Sequence, residues 1–198
     1  MALPRRQVLA RARAIRALVL DVDGVLTDAS LYYGPRGEAL KAFSARDGFA
    51  IKLAQSEGIF VAVLSGRLSP PLKARLVDLG IGHPLVIEGS RNKRRDLATL
   101  ARRLKVGLTD VAYVGDDLPD LSALADAGLA ACPADAPDEV RSRCHFVCQA
   151  GGGRGAVREV VELLLASRGR WEVLVAEWAA GRASATWRAS GLKPLDGS

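Results

Sequence analysis

The sequence predicts an α/β fold, a mostly parallel sheet with helices on both faces. Three observations point there. Short apolar runs at Leu18–Leu20, Ile59–Leu64, Leu85–Ile87, Val111–Val114, Leu129–Ala131 and His145–Val147 read as buried strands. Helical patterns with recognisable ends stand between them, the alternation that yields a parallel, Rossmann-like sheet. Several strands also run into small or acidic residues, and open sheets of this kind bind ligands beyond the carboxyl ends of their strands.

In chain order, Met1–Arg16 is rich in Arg and Ala and is expected to form a short amphipathic helix, an N-terminal extension over residues 1–16. The strand Leu18–Leu20 runs into Asp21-Val22-Asp23-Gly24. Leu31–Tyr33 and Glu38–Phe43 flank the Gly34-Pro35-Arg36-Gly37 turn and predict a β-hairpin. Asp47 is expected to cap a helix over Gly48–Ser56 that Gly58 closes. The strand Ile59–Leu64 ends on Ser65-Gly66-Arg67, and Pro70–Leu79 reads as a helix with prolines in its first turn and Gly80 after its end. Asn92–Leu104 is a basic helix with Lys93 near its start. Val111–Val114 leads into Gly115-Asp116-Asp117-Leu118-Pro119-Asp120 and a helix over Leu121–Ala127. A helix at Pro137–Arg143 separates the last two strands, and the Gly151–Gly155 loop feeds a helix over Ala156–Ser167. Trp171–Trp178 reads as a further amphipathic helix, before a tail ending Lys193-Pro194-Leu195-Asp196-Gly197-Ser198; residues 168–198 thus form a C-terminal helix and tail behind a domain over 17–167.

The chain has 198 residues, enough for one domain with a full core, and carries a net charge of +6. That balance suits nucleic acid, a membrane surface or small anionic substrates. Few aromatic residues and no recognised binding module argue against nucleic acid, and no run of about eighteen apolar residues offers a membrane span. Cys132, Cys144 and Cys148 make no disulfide framework. A zinc site from them would need a fourth ligand such as His145, in surroundings that read as strand. Buried, reduced thiols in a cytoplasmic protein are the expectation. His83 and His145 are read as structural.

The chemistry concentrates at strand ends. Asp21 and Asp23, two apart, are expected on one side of the strand end, where they repel unless a cation sits between them or one keeps its proton. That pair suits magnesium, a hard ion that usually takes only one or two carboxylates. It also suits phosphoryl transfer: Asp21 as nucleophile, Asp23 as the acid that protonates the leaving oxygen and the base that activates water. Asp116 would complete the metal site with Asp21 and the main-chain carbonyl of Asp23. Ser65 and neighbouring amides would hold phosphate oxygens, and Lys93 would neutralise their charge. Each piece has a plainer reading: acids follow strands that reach solvent, Ser65-Gly66 is an ordinary turn, and Asp117 and Asp120 serve as helix caps or partners of Lys93. Coincidence at four strand ends favours the catalytic reading.

These residues resemble the haloacid dehalogenase superfamily of aspartate-based phosphatases. Its four motifs correspond to Asp21-Val22-Asp23-Gly24-Val25, Ser65-Gly66-Arg67, Lys93, and Gly115-Asp116-Asp117-Leu118-Pro119-Asp120. Lys41–Gly48 and Gly152–Glu159 further resemble the 3-deoxy-D-manno-octulosonate 8-phosphate phosphatase family. The intervals between motifs hold only a hairpin, single helices and a short strand, leaving no room for a cap domain. The resemblance implies hydrolysis of that sugar acid phosphate with magnesium. It implies a substrate pocket including Asp23, Ser44, Ala45, Arg46, Asp47, Gly48, Lys52, Arg67, Arg75 and Lys93. It also implies a homotetramer whose hairpins pack around the symmetry axis, with Arg154 a candidate to reach a neighbouring site. Two other functions stay open: a phosphatase for another keto sugar acid phosphate, and a non-catalytic oligomerisation module like those fused to sialic acid activating enzymes.

Overall fold

A computed structural model describes residues 4–182. Helix α1 (Arg5–Ala14) precedes β1 (Ala17–Leu20), the hairpin β2 (Tyr32–Gly34) and β3 (Gly37–Leu40), and α2 (Ala45–Ser56). Then come β4 (Phe60–Leu64), α3 (Pro70–Asp78), β5 (Val86–Ile87), α4 (Lys93–Leu104) and β6 (Val111–Val114). The chain continues through α5 (Leu121–Asp126), β7 (Leu129–Cys132), α6 (Asp138–Arg141), β8 (Phe146–Val147), α7 (Ala156–Ala166) and α8 (Trp171–Ala179). The expected α/β architecture is present: a six-stranded sheet in the order β5-β4-β1-β6-β7-β8, parallel throughout, with β2 and β3 as a separate antiparallel pair.

Alternation along the strands sorts side chains onto the two faces. Leu18, Leu20, Val61, Val63, Ala112 and Val114 join the core under α1, α2, α3 and α7. Val19, Ala62, Leu64, Val111 and Tyr113 join the core under α4, α5 and α6. Both faces are therefore covered, which is why these strands read as near-continuous apolar runs.

Chain order turns one way from β1 through β4 to β5 and the other way from β6 outward, so the topological switch lies between β1 and β6. The register aligns Leu20 with Val63 on one side and Val114 on the other. All three central strands thus end level, and Asp21, Ser65 and Gly115–Asp116 follow at the same edge. This is the crevice where open α/β sheets take their ligands.

One local expectation is corrected. Ser44, not Asp47, caps α2, its hydroxyl accepting from the Asp47 N–H at 3.2 Å. The Asp47 carboxylate instead accepts from Gly155 N–H at 3.1 Å and Arg158 N–H at 2.8 Å, so it caps the start of α7 from across the fold. A cap so distant in sequence leaves no local signal. The strand stops at Leu20, and the chain bends at once into the Val22–Thr27 turn that carries Asp23.

The ends of the chain are tied into this frame. Val8 and Ala12 of α1 are buried in the core shared with α7, and Arg11 donates to the Gly128 carbonyl at 2.8 Å. Helix α8 is held at its start by Arg170, which forks onto Glu57 at 2.7 and 3.0 Å, and toward its end by Trp178 edge-on to Phe49 at 5.1 Å. Residues 1–3 and 183–198, including the tail ending Lys193–Ser198, lie outside the described residues.

Candidate active site

The edge beyond β1 and β6 carries a cluster of acids around one lysine. Oxygens of Asp21, Asp116 and Asp120 lie within 4.8 Å of one another. Lys93, at the first turn of α4, places its ammonium 2.9 Å from Asp21 Oδ1 and 2.5 Å from Asp120 Oδ1. Asn92 fixes that turn by capping α4. Asp120 also accepts from the Tyr113 hydroxyl at 2.5 Å through Oδ1, and from the N–H groups of Asp116 and Asp117 at 3.1 and 3.2 Å through Oδ2. Asp117 accepts from the Leu118 N–H at 2.7 Å and caps the short turn of Leu118–Asp120. The plainer roles weighed for Asp117 and Asp120, cap and lysine partner, are the ones their bonds display.

Glycine is required at two points here. A Cβ on Gly24, whose φ is +84°, would fall 2.0 Å from Asp116 Oδ2. One on Gly115 would fall 2.5 Å from Asp120. Both acids therefore approach main chain that must stay bare.

Crowding sets the electrostatics. Burial first, and then the Asp120 charge, raise the Asp21 carboxyl to about 6, with Lys93 pulling the other way. Burial, then Asp21 and Asp120, raise Asp116 to about 8. For Lys93 burial disfavours the charge, but Asp21 and Asp120 outweigh it and hold the ammonium above its ordinary range. Acids that retain protons to so high a pH mark a place deficient in positive charge. An all-oxygen donor set of this kind fits a hard divalent ion.

The Asp23 side chain has a network of its own. Lys41, fully buried beneath the hairpin, pairs with Asp23 and lies 3.6 Å from Glu38. Arg67 Nε is 3.6 Å from Asp23, and its Nη2 donates to Glu38 at 3.2 Å and to the Tyr33 hydroxyl at 3.0 Å. Ser69, which caps α3, donates its hydroxyl to Glu38. Ser65 Oγ is buried and both donates to the Arg67 carbonyl and accepts from the Arg67 N–H, each at 3.1 Å, so it shapes the turn after β4.

The remaining expected pocket residues divide into two groups. Arg75 gathers several: it donates to the Ser44 carbonyl at 3.1 Å and to Asp78 at 2.6 Å, lies over the Phe43 ring, and leaves no room for a side chain at Gly48. Lys52 is 4.0 Å from the same Asp78. A cavity of about 430 Å³ separates this group from the hairpin, lined by Glu38, Lys41, Phe43, Pro70 and Arg75. Ala45 opens α2 beside this group, at its first residue. Arg46 instead lines a cavity with Arg154, Gly155 and Arg158. A further cavity, of about 540 Å³, opens over Lys93 between Arg67, Arg91 and Pro119.

The glycine loop before α7 is a buttress. A Cβ on Gly152 would fall 1.9 Å from the Gly24 carbonyl oxygen, and Gly153 donates to the Val25 carbonyl at 2.9 Å. It holds from behind the turn that carries Asp21 and Asp23. Arg154 itself points outward, 3.6 Å from Asp28.

Three functional side chains escaped sequence reasoning. Glu38 and Lys41 read as strand surface because only docking of the hairpin buries them. Tyr113 reads as core, although a buried tyrosine does signal a search for a hydroxyl partner.

A strand-end aspartate beside a lysine, an acidic loop and a serine turn defines the class of aspartate-based phosphoryl-transfer enzymes. Comparison with known proteins agrees. A family model for haloacid dehalogenase-like hydrolases matches residues 73–157. The Escherichia coli K12 3-deoxy-D-manno-octulosonate 8-phosphate phosphatase is 44% identical over 163 residues, covering 82% of this chain and 86% of its own. The cobalt-bound deoxy-D-mannose-octulosonate 8-phosphate phosphatase of Haemophilus influenzae superposes with a TM-score of 0.80 at 41% identity, over 82% of this chain and 94% of that one. The Moraxella catarrhalis enzyme, in complex with magnesium, phosphate and KDO, does so with a TM-score of 0.83 at 34% identity, over 87% and 98%. The chain belongs to the 3-deoxy-D-manno-octulosonate 8-phosphate phosphatase family of the haloacid dehalogenase superfamily.

Proposed function

We propose that the protein hydrolyses 3-deoxy-D-manno-octulosonate 8-phosphate to the free sugar acid and phosphate, with magnesium as cofactor. The observation that carries this is Lys93 joining Asp21 to Asp120 beside Asp116, in a chain so similar to named phosphatases. Asp21 attacks phosphorus in line; the P–O bond to the sugar breaks as the aspartyl-phosphate forms. Asp23 gives its proton to the departing alkoxide, then takes one from a water whose oxygen attacks the same phosphorus. Phosphate leaves and the Asp21 carboxylate is restored. Lys93 and the amides after Ser65 neutralise and orient the phosphoryl oxygens. Magnesium, when bound by Asp21, Asp116 and the Asp23 carbonyl, supplies further charge neutralisation. Arg67, Arg75, Lys52 and the 44–48 segment receive the sugar acid and its carboxylate.

Residues 17–167 are proposed as the catalytic domain, with residues 1–16 and 168–198 appended to it. The hairpin supports a homotetrameric reading, because Tyr32, Tyr33 and Leu40 are at least half exposed and no described residue covers them. The exposure of Arg154 supports the reading that it reaches a neighbour's site. Among the described residues no helix is long and apolar enough to cross a membrane, and a cytoplasmic location is proposed for the enzyme. The test is phosphate release from a panel of sugar phosphates with magnesium, against Asp21→Asn. Release from the octulosonate phosphate well above the variant supports the assignment. A preference for another keto sugar acid phosphate overturns the substrate, and no release from any of them favours an interaction module.

A further inference from the structure

Asp120 is geometrically part of the three-acid cluster, yet its hydrogen bonds argue against its holding an ion. An ionised carboxylate offers about four acceptor positions. Oδ1 receives Lys93 Nζ at 2.5 Å and the Tyr113 hydroxyl at 2.5 Å; Oδ2 receives the N–H groups of Asp116 and Asp117 at 3.1 and 3.2 Å. Every position is filled by donors that belong to the fold. Three of these serve other ends as well: Lys93 also meets Asp21, and the two amides shape the loop that presents Asp116. Among the described residues the Tyr113 hydroxyl has no other hydrogen-bond partner. Its ring is fully buried on β6, against the core under α4 and α5, so it reaches Asp120 from below on a rigid strand.

We infer that the Tyr113 hydroxyl is a positioning group that sets metal selectivity: by filling the last acceptor position of Asp120 it keeps that carboxylate out of the ion's shell. A site with two carboxylates suits magnesium, which retains several waters and demands compact octahedral geometry. A site with three suits calcium, which takes six to eight oxygens in looser arrangements. One missing hydroxyl would free a lone pair on a buried acid beside the ion and shift the site from the first kind toward the second. The inference rests on the reading of Asp21 and Asp116 as metal ligands.

The test is isothermal titration of the purified full chain with magnesium alone and with calcium alone, for wild type, Tyr113→Phe, Asp120→Asn and the double variant. Tyr113→Phe is expected to raise calcium affinity relative to magnesium about tenfold, the lower end of what a partner that orients a ligand set is worth. In the Asp120→Asn background the same change should leave the ratio unaltered, since the third carboxylate is gone. An unchanged ratio in a folded Tyr113→Phe protein overturns the inference. Asp120→Asn tests it independently should Tyr113→Phe not fold: magnesium affinity should fall far less than in Asp116→Asn, and an equal loss in both variants makes Asp120 a ligand and overturns it too. If wild type binds neither ion, the failure lies with the metal reading itself.

Discussion

Asp21 and Asp23 stand two residues apart and live in different surroundings. Asp21 lies inside the sheet's crevice, just past β1, among the acids of the loop after β6 and a lysine at the start of α4, each delivered by an element whose position the core fixes. Asp23 faces Lys41 and Arg67, and through them Glu38 and Ser69, a network that exists only because a two-stranded hairpin lies over the strand ends. The contrast matches the two jobs proposed for them in phosphoryl transfer. A nucleophile must be held rigidly, and the buried strand end holds Asp21. A proton carrier must exchange with leaving group and water, and the hairpin outside the sheet holds Asp23.

Substitutions on the two sides should differ in size. Asp21→Asn removes the nucleophile and is expected to lower phosphate release by roughly 10³-fold or more. Lys93→Met, on the same side, should cost about 10²- to 10³-fold, as loss of a preorganised charge opposite the transition state does. On the hairpin side, Lys41→Met removes only an orienting partner of Asp23, and a loss of roughly ten- to a hundredfold in kcat is expected, restored in part by Lys41→Arg. Equal losses for Lys41→Met and Lys93→Met would erase the distinction between the two regions.

A smaller effect separates the regions by pH. Asp21 and Asp116 titrate at about 6 and about 8, against an ordinary 3.8. Without metal the folded protein therefore holds more protons than the unfolded chain between about pH 4 and 8, and its stability must fall as pH rises through that window. Bound magnesium takes the protons' place. Thermal melts in chelator should show Tm declining from pH 5 to 8, and saturating magnesium should remove the decline. On the hairpin side Glu38 is held below its usual range despite burial, by Ser69 and Arg67, so its contribution is lost only at acid pH, as it gains a proton. The smallest change should come from Leu40→Glu on the exposed hairpin face, which is expected to weaken subunit association in sedimentation while leaving the monomer's melt nearly unaltered.

The sheet region was almost wholly legible in the sequence. Buried parallel strands read as apolar runs, and their ends carry Asp21, Ser65 and Asp116 at visible positions. The hairpin region was legible as a hairpin but not as chemistry, because Glu38 and Lys41 acquire their roles on docking against Arg67 and Ser69, far along the chain. Asp47 shows the same limit: as a residue near a helix start it looked like a local cap, and it caps α7 instead. Periodicity places residues on elements. Which distant element then meets them depends on packing.

The proposal that Asp21 becomes phosphorylated can be tested at that atom. Enzyme turning over the octulosonate phosphate with magnesium would be quenched in borohydride, which reduces an acyl phosphate on aspartate to homoserine, and the peptide carrying Asp21 read by mass spectrometry. Homoserine at position 21, present with substrate and absent without it, is the expected result. Steady turnover with Asp21 unmodified, or with the reduction found at Asp23 or Asp116, would contradict the account.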